Sequence, residues 1–311
     1  MLNFCDFTYS DTFAHTITST YGEKGPQWLA SLPTIIQKCS NQWKLSDLKP
    51  YPMLTYNYVL SGMMNSTPIV LKLRCNPTDL HKEVAALEAY NGYGSAQVLA
   101  HDLNLGAMIL ERALPGETLA SFFSDNDQKA TTIAADCIRL LHQAPFASNS
   151  LLFQSLEQTV PDFKSTLTAL DPFIKHAQEL KKKLLTTEQE KVLLHGDFHQ
   201  GNILSSAHEN WIVIDPEGII GDPVYDLAVY IRNPLTELLA YPDPLTIINN
   251  RITTFATTLG YDPQRIYDWT YLQAVSSAYW SLEDGLDITR HVAFLKLLTH
   301  DRKTIFSDQR N

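Results

Sequence analysis

The stretch VLLHGDFHQGNILSSAHENWIVID, residues 192–215, decides how this chain is read. It opens on Val192-Leu193-Leu194, an apolar run of strand length. A polar loop follows, His195-Gly196-Asp197-Phe198-His199-Gln200-Gly201-Asn202. Residues 203–204 then run out, 205–210 turn and 211–214 return, which predicts a β-hairpin. Centred near His208, the hairpin sets Asn202 and Asp215 side by side at its open end, with Asp197 projecting from the loop before it. Three oxygen-bearing side chains converge there, a donor set suited to a hard cation such as Mg2+. Mg2+ takes one or two protein carboxylates and fills its sphere with water and nucleotide phosphate. An Asp and the Asn meet that need, and the second Asp is left to accept or orient a hydroxyl proton. Any one of these residues alone would merely end a strand or cap a turn. Their combination at this spacing points to chemistry.

Around this β island the pattern is helical. Apolar periodicity predicts helices at 119–123, 128–143, 160–185, 223–231, 245–260, 266–283 and 288–301. Asp222-Pro223 has the N-cap and N1-proline order of a helix start. Residues 1–110 are mixed. Strands are expected at 43–45, 58–64, 68–73, 97–101 and 107–112, with a turn at Asn65-Ser66-Thr67. A helix follows Pro77, with Asp79 as its N-cap and Leu80, Val84 and Leu87 on one apolar face. The plan is α+β: a small β-rich N-lobe (1–110), an interlobe linker (111–116) and a larger, mainly helical C-lobe (117–311).

The chain of 311 residues is long enough for two such lobes. Its 24 basic and 34 acidic residues give a net charge of −10. That balance argues against nucleic acid and against an anionic membrane surface as partners. Residues 1–114 hold 8 basic and 9 acidic residues, so nearly all the negative charge falls beyond them. No run approaches the ~18 apolar residues of a membrane span. No signal peptide is recognisable at the start, and Cys5, Cys39, Cys75 and Cys137 are too scattered for a disulfide framework or a zinc site. A cytoplasmic location is expected.

The motif H-G-D-x-H-x-x-N followed by I-D resembles the catalytic signature of aminoglycoside and choline-type small-molecule kinases, which share the protein-kinase-like fold. IDPEGIIGDPVYDLA, RNP and WSLEDG look more specifically like the streptomycin 6-kinase and hydroxyurea phosphotransferase branch. The resemblance spans about residues 43–289. It implies ATP and Mg2+ as cofactors, with Asp197 as catalytic base and Asn202 and Asp215 as metal ligands. Lys72 in IVLKL resembles the strand lysine that meets the α and β phosphates, and Glu83 its ion-pair partner, with Glu88 second in rank. Backbone groups of Arg112, Ala113 and Leu114 would meet the adenine edge. The stretch 51–59, where a protein kinase carries a glycine-rich loop, has no glycine, and Asn57 is the candidate phosphate contact there. No A-P-E follows Asp215, which disfavours protein substrates.

His195 is expected to brace the loop, and His199 to pack it or touch phosphate. Asp222 and Asp226 are expected to support the loop from the next helix. Glu283 and Asp284 sit near a helix C-terminus, against its dipole. With Trp280 they are candidates for a pocket holding a polar or cationic acceptor; surface acids beside a glycine cap are the plain alternative. The reaction expected is transfer of the γ-phosphate of ATP to a hydroxyl of a small polar molecule, aminoglycoside or aminocyclitol-like. A nucleotide-binding pseudokinase or regulator on the same fold is the rival, and a metallophosphoesterase a more distant one. Neither the oligomeric state nor ATP-against-GTP preference is written in the sequence.

Overall fold

The computed structural model describes residues 8–123, 125–146, 152–166, 168–207 and 210–305. The chain divides into two compact units. One holds the described residues up to Gly92 together with Ala96–Leu114; the other holds Tyr93–Ser95 and the chain from Pro115 onward.

In the first unit, helices α1 (Asp11–Tyr21) and α2 (Lys24–Trp43) precede strands β1 (Leu45–Pro50), β2 (Asn57–Met64) and β3 (Thr67–Arg74). Helix α3 (Pro77–Tyr90), β4 (Val98–Asp102) and β5 (Ala107–Glu111) follow. The strands form an antiparallel sheet in the order β1-β2-β3-β5-β4. Strand period two sorts its faces. Tyr58, Leu60, Ile69, Leu71, Leu73 and Ile109 pack with Phe13, Ile17, Leu32 and Ile36 of α1 and α2. Met108 and Leu110, with the half-buried Val70, pack with Leu80, Val84 and Leu87 of α3. Lys72 and Arg74, in step with Val70, therefore lie on the α3 side.

Two expectations here are corrected. The strand expected at 43–45 begins only at Leu45, as β1: α2 runs to Trp43, and Lys44 ends it in the left-handed region at φ 55°. The helix after Pro77 is capped by Asn76, whose side chain accepts the Thr78 amide, while Asp79 lies in the first turn and takes a bond from Asn76 Nδ2. An Asn before Pro77 has the extended backbone that a cap needs.

In the second unit come β6 (Pro115–Thr118), α4 (Asp127–Leu141), β7 (Gln154–Ser155), α5 (Leu156–Thr159), α6 (Asp171–Thr186), β8 (Val192–Leu194), β9 (Ile203–Ser206) and β10 (Asn210–Val213). Next are β11 (Ile219–Gly221), α7 (Val224–Arg232), α8 (Leu235–Ala240), α9 (Pro244–Leu259), α10 (Pro263–Glu283) and α11 (Thr289–Ile305). Strands β10-β9-β6 and β7-β11-β8 make two small sheets. Ser95 bridges to Val213, which ties 93–95 to this unit. The helix expected over 160–185 is α6, which starts later, at Asp171. Helix α5 stops at Thr159 before Pro161, and the Asp171 carboxylate accepts the Thr166 amide. Proline cannot donate to the helical ladder and disfavours helical backbone before it. Within residues 111–116, Glu111 closes β5 and Pro115 opens β6.

Helix α7 is buried from Val224 through Ile231, and α10 buries Trp269, Leu272 and Val275. The C-terminal carbonyls of α7 are satisfied from α9. Arg251, fully buried, donates Nη1 to the carbonyls of Ile231 (2.9 Å) and Asn233 (2.6 Å) and grips Asp127 of α4 through Nε and Nη2. Removing one partner of such a pair strands the other, so Arg251→Met is expected to cost about 3–5 kcal/mol in urea unfolding.

The His291 ring of α11 meets Ser277 of α10 at 3.3 Å. Burial first, and the charge of Arg232 second, press its pKa from 6.5 down to about 4, against the pull of Asp287. Between those values the unfolded chain binds a proton that the folded chain does not, so stability is lost as pH falls. Tm measured from pH 7 down to pH 4.5 is expected to drop, and His291→Gln to flatten part of that slope.

Candidate active site

The site of the second unit is built where β8 gives way to a loop. Asp226, in the first turn of α7 and fully buried, accepts the His195 amide on Oδ2 and the Gly196 amide on Oδ1, both at 2.9 Å. His142, closing α4, meets the same Oδ2 at 3.0 Å. Gly196 stands at φ 86°, and a Cβ there would lie 2.9 Å from Ile219 Cδ1, so only glycine suits this turn. The His195 ring spans the loop. Nδ1 accepts the Asp197 amide (3.2 Å) and Nε2 donates to the Ile214 carbonyl (2.8 Å). That pattern requires the neutral ring, and burial depresses its pKa accordingly. His195 and Asp226 thus both hold the loop.

Asp197 follows with its carboxylate 47 % exposed. Burial raises its pKa, but the His199 hydrogen bond and charge, with His195 and Arg232, outweigh that and hold it below the usual carboxylate range. His199 is oriented by accepting the Gly201 amide on Nδ1 (3.0 Å), which turns Nε2 to Asp197 Oδ2 at 3.4 Å. Asn202 donates Nδ2 to the Asp197 carbonyl (3.0 Å) and to its Oδ2 (3.3 Å).

The hairpin brings in Asp215. Strands β9 and β10 pair Ile203 with Val213, and the Ile214 amide donates to the Asn202 carbonyl. Ser206 lies opposite Asn210 in register, and His208, the expected centre of the hairpin, lies outside the described residues. Asp215 leaves the strand at φ 63°, in the left-handed region that Asp tolerates better than most residues. Asp222 lies deeper. It accepts Trp269 Nε1 (2.7 Å), Arg265 Nε (2.8 Å) and the Val224 amide (3.0 Å). Helix α7 starts at Val224, one residue later than expected, and Asp222 caps it from outside.

In the first unit, Lys72 of β3 pairs with Glu83 of α3, Nζ to Oε1 at 2.6 Å, both nearly fully buried. Glu88 is exposed and meets His101 instead. Arg74 takes the other oxygen of Glu83, Nη1 to Oε2 at 3.0 Å. The Asn57 Oδ1 atom, on the residue opposite Arg74 in register, is buried with no hydrogen-bond partner. Arg112 and Ala113 are half-buried between β5 and β6, and Leu114 is exposed. In the second unit, Trp280 is half-buried, and Glu283 and Asp284 are exposed where α10 ends.

Four contributors escaped the sequence reading: Arg74, His142, Gln200 and Arg232. Gln200 donates Nε2 to the carbonyls of Tyr230 and Asn233, joining the loop to the end of α7. Only Arg232 had a signal, its place in R-N-P.

Residues 55–285 match the model of the aminoglycoside/hydroxyurea antibiotic resistance kinases. The chain belongs to that family. Streptomycin 6-kinase of Streptomyces glaucescens is 28% identical over 280 residues, covering 88% of this chain and 91% of the relative. Hydroxyurea phosphotransferase of Kitasatospora aureofaciens is 26% identical, covering 85% of this chain and 77% of the relative. The crystal structure of an amicoumacin kinase shares the fold at a TM-score of 0.63, with 16% identity over 91% of this chain and 93% of that one. The chain is therefore a small-molecule kinase, which displaces the pseudokinase and phosphoesterase readings. Among the described residues no helix is long and apolar enough to cross a membrane.

The Glu83 carboxylate has a cation on each oxygen. Lys72→Met or Arg74→Leu alone leaves it one; both together leave a buried carboxylate without either. The double variant is expected to lose about 3–5 kcal/mol. That exceeds the sum of the single losses by about 1 kcal/mol or more in a urea double-mutant cycle.

Proposed function

We propose that the chain is an ATP- and Mg2+-dependent phosphotransferase that moves the γ-phosphate to a hydroxyl of a small polar molecule, aminoglycoside or aminocyclitol-like. The observation that carries this is Asp197, half-exposed, held below the usual carboxylate pKa range, and bonded to the side chain of Asn202. A carboxylate so held stays ionised and can accept the proton of an incoming hydroxyl.

In this reading residues 1–110 bind nucleotide and 117–311 carry the catalytic loop and the acceptor site. Lys72 meets the ATP phosphates while Glu83 keeps it extended. Asn57, with its orphaned Oδ1, is a further nucleotide contact, and the backbone of Arg112, Ala113 and Leu114 meets adenine. Asn202 Oδ1 and Asp215 supply the oxygens for Mg2+. One amide and one carboxylate are few ligands, which fits an ion that takes most of its sphere from phosphate and water. Bound there, Mg2+ would neutralise charge on the phosphates. Among the described residues no group of three or more His, Cys, Asp or Glu is placed to hold a metal alone.

The acceptor oxygen bonds to the γ phosphorus as the bond to the β–γ bridging oxygen breaks. The electron pair leaves with ADP and the hydroxyl proton goes to Asp197. Trp280, Glu283 and Asp284 are proposed to meet the acceptor, and the acidity of the chain beyond residue 114 supports a cationic one. A cytoplasmic location goes with this reading, because ATP is supplied there.

Asp197→Asn is expected to lower kcat by about 10²–10⁴, read as ADP release with streptomycin and a panel of hydroxylated small molecules. Calorimetry should find ADP·Mg binding unchanged. An unaltered rate would refute the assignment.

A further inference from the structure

Arg232 ends α7, and the backbone on both sides of it is clamped. Gln200 of the catalytic loop donates to the carbonyls of Tyr230 (3.3 Å) and Asn233 (2.7 Å). Arg251 donates to the carbonyls of Ile231 and Asn233. This fixes Arg232 against the loop that carries Asp197. Its side chain is partly buried, and its Nε donates to Gln273 Oε1 at 2.8 Å. Gln273, in α10, is itself only 3% exposed.

That amide is neutral. Among the described residues no carboxylate lies within ion-pairing distance of Arg232, whereas Arg74, Arg251 and Arg265 each hold one. The other titratable groups acting on it are Asp197, Tyr225 and His291. Burial keeps Tyr225 as the neutral phenol and His291 as the neutral ring at pH 7. Among the described residues, that leaves the Asp197 charge, beyond ion-pairing distance, to answer the guanidinium. Taking a cation out of water without a partner is costly. A protein that retains such a charge beside a reactive carboxylate has a site ready for an anion. With Nε held by Gln273, the two terminal nitrogens form the fork that matches phosphate oxygens.

We propose that Arg232 is a further catalytic residue, whose guanidinium holds the phosphoryl group in transit beside Asp197, and that Gln273 is the positioning residue that aims it. The inference rests on the phosphotransferase reading above. As the bond to the bridging oxygen breaks and the bond to the acceptor oxygen forms, negative charge lies on the three equatorial oxygens, and a cation fixed there lowers the barrier. Asp197 and Arg232 then divide the work: one takes the proton, the other takes the charge.

The test uses the full chain and ADP·Mg with aluminium fluoride, a planar mimic of the phosphoryl group in flight. Transition-state mimics bind more tightly than ground-state ligands, by at least about 10²-fold. Wild type is expected to bind ADP·Mg, and to bind it far more tightly once fluoride is added. Arg232→Gln should bind ADP·Mg about as well as wild type, lose the fluoride enhancement, and show kcat reduced by about 10²–10³ with acceptor KM little changed. Arg232→Lys should restore little, because an ammonium lacks the fork. Gln273→Ala should lose about tenfold in kcat, with no further loss on top of Arg232→Gln.

A folded Arg232→Gln that keeps the fluoride enhancement overturns the proposal. So does one whose acceptor KM rises while kcat stands, since Arg232 would then serve the acceptor. If Arg232→Gln does not fold, Arg232→Lys and Gln273→Ala carry the same comparison. Wild type that binds no ADP·Mg would overturn the nucleotide reading itself, and this proposal with it, an outcome distinct from the other two.

Discussion

The site in the helical unit depends on one buried carboxylate. Asp226 accepts the amides of His195 and Gly196, and without it those amides would face a core that offers them nothing. Buried amides left unpaired are costly, so the loop follows α7 wherever α7 is packed. The consequences run outward. His195, fixed by its own amide, bridges to Ile214 at the end of the hairpin, and that hairpin carries Asp215. Gly196 turns the chain, and Asp197 emerges beside Asn202. Gln200 returns to the far end of the same helix. Helix α7 is thus the ruler against which the reactive groups are placed, and its burial over nearly its whole length makes that ruler stiff.

The cations of the molecule are used in contrasting ways. Arg251 and Arg265 are spent on architecture, each saturated by a buried carboxylate and by carbonyls or a hydroxyl. Lys72 and Arg74 meet the two oxygens of Glu83. Arg232 has a neutral amide for a partner. Surplus positive charge in partly enclosed places costs stability and is characteristic of sites that receive anions. The net charge of the chain, −10, conceals this, because it averages acidic surfaces with a few enclosed cations.

Much of the site was legible for reasons of period and register. Strand alternation puts Lys72 on the opposite face from Leu71 and Leu73, and the helix face of Leu80 and Val84 carries Glu83 toward that same side. The hairpin followed from the lengths of its strands, and its register sets the Ile214 amide on the Asn202 carbonyl. Helices α1 and α2 were not read, because Gly25 and Pro33 interrupt a pattern that only the sheet face beneath completes. The start of α6 was placed too early, at 160, because apolar residues such as Val160 and Phe163 lie ahead of it in a helical pattern. Asp79 was taken for the cap because the residue before a proline, Asn76, was not weighed as one.

What the sequence by itself determined is the α+β, kinase-like fold, the pairing of Lys72 with Glu83 in the first unit and the placing of Asp197 beside Asn202 in the second. Their spacings are local, and local spacing on a strand, helix or hairpin translates directly into direction. What only the tertiary structure decided is the company those residues keep. Arg74 on the second oxygen of Glu83, His142 on Asp226, and Arg232 aimed by Gln273 all join segments distant in the chain or displaced in register. No periodicity encodes such contacts. They exist because buried polar groups must find partners, and which partner is within reach is settled only when the helices pack.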